Sequence, residues 1–88
     1  MVLYGGRDMR YFELGLGQSV EEDWETFDYS MCIKAEREPK TFEEANEFIK
    51  NDLNMLGYKT VVSITEIPEK EAQDFFDWDA ICKAPVFV

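Results

Sequence analysis

Carboxylates dominate the chemistry of this 88-residue sequence, in which nineteen Asp and Glu stand against nine Lys and Arg for a net charge of −10 at pH 7. Two segments hold the excess: residues 11–33 contain six acids and no base, and residues 66–79 contain six acids and one base. Each segment has one tryptophan beside carboxylates, Trp24 in EEDWE and Trp78 in FFDWD. Tryptophan is over-represented at interface hot spots, and an acidic rim steers a basic partner toward it. We therefore predict a partner-binding surface that consists of Glu21, Glu22, Asp23, Trp24, Glu25, Asp28, Glu69, Glu71, Asp74, Asp77, Trp78 and Asp79.

Both features also have a purely structural explanation. Excess acid improves solubility whatever a protein does. An indole ring can fold back over the core as a lid, with its N–H bonded to a carbonyl oxygen. The sequence leaves these alternatives open for Trp24 and for Trp78.

Catalytic residues are scarce. The sequence contains no histidine, which is the commonest general base near neutral pH. A Ser-His or Cys-His nucleophile pair is therefore excluded. The Gly15-x-Gly17 spacing lacks the third glycine of a phosphate-binding loop, and a chain of this length leaves little room for a sugar cleft between two carboxylates. We predict a protein that is not an enzyme and that holds no cofactor.

A metal site is not expected either. Asp74, Asp77 and Asp79 are close in sequence, but the chain has no D-x-D-x-D-G calcium loop. Two cysteines do not complete a tetrahedral zinc site when histidine is missing. A solvated helix face is the better explanation of the three aspartates.

Cys32 and Cys82 have no C-x-x-C partner, and we expect free thiols in a reducing compartment. Lys34 follows Cys32 on the same face of a predicted strand, and a nearby cation can lower the pKa of a thiol. An inert thiol is the favoured alternative, because two-residue spacing alone is weak support for an activated one.

The best-marked element is an amphipathic helix over residues 41–57. Thr41 and Glu44 have the spacing of a capping box, and Gly57 has the place of a left-handed residue after the last turn. Three- and four-residue steps predict one apolar stripe. Its members are Phe42, Ala45, Phe48, Ile49, Leu53 and Leu56.

Three strands are expected. Alternation of apolar and polar residues predicts strands at 9–16 and 26–36, and a run of β-branched residues predicts a third at 58–67. In the first strand, one face is predicted to carry Phe12, Leu14 and Leu16, and the other Tyr11 and Glu13. In the second strand, the face expected to be solvated carries Asp28, Ser30, Cys32, Lys34 and Glu36.

The last third of the chain predicts a shorter helix and an apolar tail. Pro68 suits the first turn of a helix over 68–78. The apolar face of that helix is expected to consist of Ala72, Phe75 and Phe76. The tail over 80–88 contains Pro85, and it is expected to be an edge strand or an apolar segment packed across the core.

Together these elements predict a single α+β domain over residues 1–88. The order is β-β-α-β-α with a possible terminal strand. It gives a three- or four-stranded, mainly antiparallel sheet with the spatial order 2-1-3 and two helices packed on one face. The first ten residues lack the apolar stretch of a signal peptide, and no run is long enough to span a membrane, so we expect a cytoplasmic protein.

Two functions fit this sequence. The first is an inhibitor whose acids imitate the phosphate backbone and occupy the basic groove of a nucleic-acid enzyme. Such a mimic needs carboxylates spaced along a face, since duplex DNA carries one charge per about 1.7 Å of axis. In size and charge the chain is similar to the small acidic inhibitors that phages and mobile elements direct against restriction and CRISPR nucleases, although no motif identifies a family.

The alternative is a small adaptor or regulatory subunit. It would bind a basic protein partner, or form a homodimer through the free edge of the second strand or through the tail. Direct binding of nucleic acid is not expected, because the chain has no basic stripe, and an acidic surface is repelled by anionic membranes.

Overall fold

The structure, a computed structural model, describes residues 9–19 and 29–88, which form a four-stranded sheet flanked by helices. The strands are β1 (Arg10–Gly17), β2 (Tyr29–Ala35), β3 (Thr60–Ile67) and β4 (Val86–Phe87). The helices are α1 (Phe42–Phe48), α2 (Lys50–Leu56), α3 (Glu69–Phe75) and α4 (Trp78–Lys83).

The strands lie in the order β3-β1-β2-β4. β1 pairs antiparallel with β2 and with β3, whereas β4 pairs parallel with β2. The predicted α+β class and the order 2-1-3 are confirmed, and the tail after Pro85 is an edge strand. The sheet is mixed because α3 and α4 form a helical crossover, which returns the chain to the far edge in the direction of β3.

The alternation predicted for β1 is observed. Phe12, Leu14 and Leu16 are fully buried on one face, and Tyr11 is buried on the other. Between Gly15 and Leu16 the register with β3 shifts by one residue, as at a β-bulge. The bulge lets two successive residues of β3, Val61 and Val62, both be buried.

The predicted helix over 41–57 is present as α1 and α2, which join at Ile49 (φ −106°, ψ 24°). Helical hydrogen bonding continues through the junction, because Leu53 N donates to Ile49 O at 2.9 Å. Thr41 is the N-cap, with Glu44 N donating to Thr41 Oγ1 at 3.0 Å. Gly57 ends the helix in the left-handed region at φ 84°.

The predicted helix over 68–78 is interrupted. α3 ends at Phe75, and Phe76 is extended (φ −130°, ψ 169°). Asp77 then caps a new helix, since Ala80 N donates to Asp77 Oδ1 at 3.2 Å. Residues 80–83, which were expected in the tail, therefore belong to α4.

The helices lie on both faces of the sheet. α1 and α2 pack on the face that carries Phe12, and α3 and α4 pack on the face that carries Tyr11. The prediction that both helices lie on one face is wrong. The second face also needs cover, because Tyr11 and Ile67 place large side chains there, and α3 begins two residues after Ile67. Cys32 of β2 packs against the same cluster, so the face expected to be solvated is partly covered.

Candidate functional site

Residues 69–79 of the second acidic segment form the outer layer of the second face. We name the carboxylates of α3 and α4 and of the turn between them the acidic helical surface: Glu69, Glu71, Asp74, Asp77 and Asp79. Three of these lie in first helical turns, Glu69 and Glu71 in α3 and Asp79 in α4. Negative charge is favourable there because the N-terminal end of a helix carries partial positive charge. The local sequence thus explains why acids gather at these positions.

A small apolar cluster supports the acidic helical surface from below. Ala72 of α3 and Ile81 of α4 are buried against Tyr11 and Ile67 of the sheet. Trp78 packs on the same cluster, with its ring 5.4 Å from the Tyr11 ring at an angle of 51°. Trp78 is half-buried, so one part of the ring completes the core while another remains accessible.

Glu69 is the one member of the acidic helical surface that is bonded to the sheet. It accepts a hydrogen bond from the Tyr11 hydroxyl at 3.5 Å and a second from Gln73 Nε2 at 3.3 Å. Burial, and then the neighbouring Glu69 charge, raise the pKa of Tyr11 above its usual value. Tyr11 therefore stays a neutral donor to Glu69 at physiological pH.

Other carboxylates of the structure are neutralised by arginine. Arg10 makes a two-pronged pair with Glu66 at 3.0 and 2.8 Å, and Arg37 makes one with Glu44 at 3.1 and 2.5 Å. The Arg37 guanidinium, together with the Lys40 backbone N–H, lowers the pKa of Glu44 to about 2. Among the described residues, no such ion pair reaches the acidic helical surface. Within the described residues, its charge is therefore not neutralised by an ion pair.

Phe75 is a surface residue that the sequence pattern missed. It was expected on the inner face of its helix, but its side chain is 77% exposed. Phe75 is the last residue of α3, whereas Phe76 follows the helix in an extended conformation and packs on the cluster. Glu71 lies one turn before Phe75 on the same side of α3. No signal in the sequence distinguished the two rings, because the pattern predicted one continuous helix through both.

Half of the predicted partner-binding residues can be located. Glu69, Glu71, Asp74, Asp77, Trp78 and Asp79 come together on α3, α4 and the turn between them. Six others lie outside the described residues: Glu21, Glu22, Asp23, Trp24, Glu25 and Asp28.

The suggestion that Lys34 activates Cys32 is wrong. Burial, followed by the neighbouring Glu13 charge, raises the pKa of the Cys32 thiol to about 11. Lys34 does not offset this effect, since its Nζ donates to the Cys82 carbonyl oxygen at 2.7 Å. Cys32 and Cys82 are both free, and Cys32 is protonated at neutral pH.

No metal centre or membrane span is found in the described part of the chain. Residues 9–19 and 29–88 contain no group of three or more Cys, Asp or Glu side chains placed to hold a metal ion. Within the same residues, every helix falls short of the length and apolar character that crossing a bilayer requires.

Comparison of the chain with protein-family models, with curated proteins and with solved structures gives no match.

Proposed function

We propose that this chain is a non-enzymatic, acidic inhibitor that binds a basic surface of a protein partner in the cytoplasm. The observation that carries the proposal is the exposed Phe75 ring among carboxylates that have no ion pair within the described residues. Solubility accounts for the acids, but it gives no reason for an aromatic ring to stand exposed beside them. An aromatic anchor within a charged rim is the usual form of an interface hot spot.

The partner class we favour is an enzyme that binds nucleic acid. The acidic helical surface runs along α3 and into the first turn of α4, so that its carboxylates succeed one another over two helices. Such a row can replace a series of phosphates in a basic groove. Enzymes of restriction and CRISPR systems are candidates of this class, and the likeness in size and charge to their small acidic inhibitors supports the choice.

The test begins with a partner captured from host lysate and identified by mass spectrometry. Its affinity is then measured by calorimetry at low and at moderate salt, with and without a competing DNA duplex. We expect added DNA and added salt each to weaken binding by at least about tenfold, because charge drives the contact. A partner whose affinity is indifferent to both would contradict nucleic-acid mimicry.

Charge reversal locates the site. Asp74→Lys combined with Asp79→Lys should weaken binding by at least about tenfold. The matched control is Glu43→Lys combined with Glu47→Lys on α1, since these residues are also exposed and also lie near the start and end of helices. Equal losses from the two double variants would show that net charge matters and that the acidic helical surface does not.

Phe75 has its own matched control. Phe75→Ser should weaken binding about tenfold or more if the ring is an anchor. Met55 is exposed to the same extent, 77%, on the opposite face of the sheet. Met55→Ser should leave the affinity unchanged, and circular dichroism should show both variants folded. No loss with Phe75→Ser would remove the observation on which the proposal stands.

A further inference from the structure

Within residues 9–19 and 29–88, most of β2 has an open edge. β4 is two residues long and pairs only with Lys34 and Ala35 of β2. Within the described residues, no strand lies beside the outer edge of β2 from Tyr29 to Ile33. An unpaired edge presents a row of backbone N–H and C=O groups to whatever lies next to it.

The direction of these backbone groups can be worked out from one hydrogen bond. Glu36 N donates to Phe87 O at 2.8 Å, so the backbone of Glu36 faces β4. Backbone groups alternate with a period of two along a strand, and those of Cys32 and Ser30 therefore face the same edge. The two residues together offer two donors and two acceptors.

A groove runs along this edge between α2 and α4. It consists of two adjoining cavities of about 280 and 300 Å³, which share Met31, Cys32, Asp52 and Ala84. α2 forms one wall and the residues around α4 form the other. Each wall has an apolar part, with Ile49 on the α2 side and Ile81 on the α4 side.

Both walls of the groove are also acidic. Asp52 stands on the α2 side and Asp77 on the α4 side. The only base of β2, Lys34, is held by the Cys82 carbonyl oxygen. A second copy of this chain is a poor occupant of the groove, because it carries a net charge of −10.

We infer that an extended, basic segment of the partner protein binds in this groove as an added strand on β2, in line with β4. The inference rests on the proposed function in one respect, which is that the partner is basic. Five residues of strand span about 16 Å, so a short segment suffices to cover the open edge. Its backbone pairs with Ser30 and Cys32, while its alternate side chains meet the two walls with their apolar and acidic groups.

The experiment uses a defined probe, an acetylated octapeptide of four alternating lysine–valine pairs. Nuclear magnetic resonance measures the hydrogen exchange of each amide of the full chain with and without the peptide. At saturation, the amides of Ser30 and Cys32 should exchange at least about tenfold more slowly. Two control peptides, N-methylated at all valines or at all lysines, keep the charge and remove alternate N–H groups. At least one of them should bind at least about tenfold more weakly.

Two variants of the protein separate the backbone contribution from the charge contribution. Ser30→Pro removes one groove-facing N–H, and an edge strand tolerates proline at such a position. Asp52→Asn removes one wall charge and leaves the edge intact. Each should weaken peptide binding several-fold or more, and thermal unfolding should show both variants folded.

Three outcomes would overturn the inference. The peptide could perturb only α3 and α4 and leave exchange at Ser30 and Cys32 unchanged. Both N-methylated peptides could bind as well as the parent peptide. Sedimentation could show a dimer that Ser30→Pro dissociates, which would make a second copy the occupant. None of these depends on Asp74 and Asp79, whose reversal tests the proposed function separately.

Discussion

The two faces of the sheet are each covered by a pair of helices, but they differ in the number of residues that are buried between helices and sheet. Among the described residues, ten buried residues form the cluster under α1 and α2, and four form the cluster under α3 and α4. The larger cluster contains all five of the largest fully buried side chains, which are Phe12, Leu14, Leu16, Ile49 and Val61. Because burial of apolar area stabilises a fold, we expect the face under α1 and α2 to contribute most of the stability. The other face has a thinner layer, whose outer surface is the one that we propose binds a partner.

The hydrogen bonds that join α1 and α3 to the sheet also differ between the two faces. On the first face, Asn46 accepts a hydrogen bond from Val61 N at 2.7 Å and donates one to Thr60 Oγ1 at 3.0 Å. These bonds tie α1 to the edge of the sheet next to the β-bulge. On the second face, Lys34 Nζ bonds the Cys82 carbonyl oxygen of α4 at 2.7 Å, whereas the contact of α3 is the Tyr11 hydroxyl to Glu69, at 3.5 Å. That distance is near the limit for a hydrogen bond, so α3 is held less firmly.

The largest expected effect comes from a matched pair of truncations. Ile49→Ala and Ile81→Ala remove the same atoms from sites that are 2% and 5% exposed. We expect a loss of about 4 kcal/mol at Ile49 and about 2 kcal/mol at Ile81, because a cavity in the larger cluster forfeits more contacts. Urea unfolding measures both. Equal losses would mean that the second face is as important for stability as the first.

A smaller effect is expected from the polar contacts. Asn46→Ala leaves the Val61 N–H without its acceptor and should cost about 1–3 kcal/mol. Tyr11→Phe removes only the long hydrogen bond to Glu69 and should cost less than about 1 kcal/mol. Both values come from the same unfolding measurement. A larger loss for Tyr11→Phe would reverse the ranking of the two faces.

The smallest effect concerns pH. Glu44 has a pKa of about 2 in the folded protein, below its ordinary 4.5, and the pKa of Glu66 is also lowered, by Arg10. A depressed pKa means that the folded state binds fewer protons, so the stabilisation is present above about pH 5 and is lost as the pH falls toward 2. Glu44→Gln should therefore flatten the fall in melting temperature between pH 5 and pH 2.

Both ion pairs lie on the face of the sheet that α1 and α2 cover, because their arginines contact aromatic rings of that face. The Arg37 guanidinium lies 4.7 Å from the Phe87 ring centre, and that of Arg10 lies 5.2 Å from the Phe12 ring centre. Glu47→Gln is the control, since it removes an exposed carboxylate from the same helix. If it flattens the curve as much as Glu44→Gln does, the ion pair is not the cause.

Local sequence was sufficient for the parts of the fold that depend on neighbours along the chain. Period-two alternation placed Phe12 and Tyr11 on opposite faces of β1, because side chains alternate along any strand. Thr41 and Gly57 marked the ends of the long helix through capping and through the left-handed conformation. The capping box itself differed by one residue, since the Glu44 side chain bonds the N–H of Lys40. The competing attraction was Arg37, which holds the same carboxylate.

Local sequence was not sufficient for the candidate site. Periodicity assigned Phe75 to the inner face of a single helix, and it is Asp77 that interrupts that helix and begins α4. Phe76 faces inward from the extended residue after α3, and it packs on a cluster that includes Tyr11 and Ile67, which are distant in sequence. The pKa of Cys32 likewise depends on burial beneath α4 and on Glu13 of the neighbouring strand. Lys34, nearer along the chain, is turned to the Cys82 carbonyl.

The sequence by itself determined the strands, the caps, the order of the sheet and the excess of acid. Only the tertiary structure decided which face each helix covers and which ring projects. The physical reason is the distance along the chain over which each interaction acts. Hydrogen bonding and periodicity act within a few residues, whereas burial is shared among elements that meet only after the chain has folded.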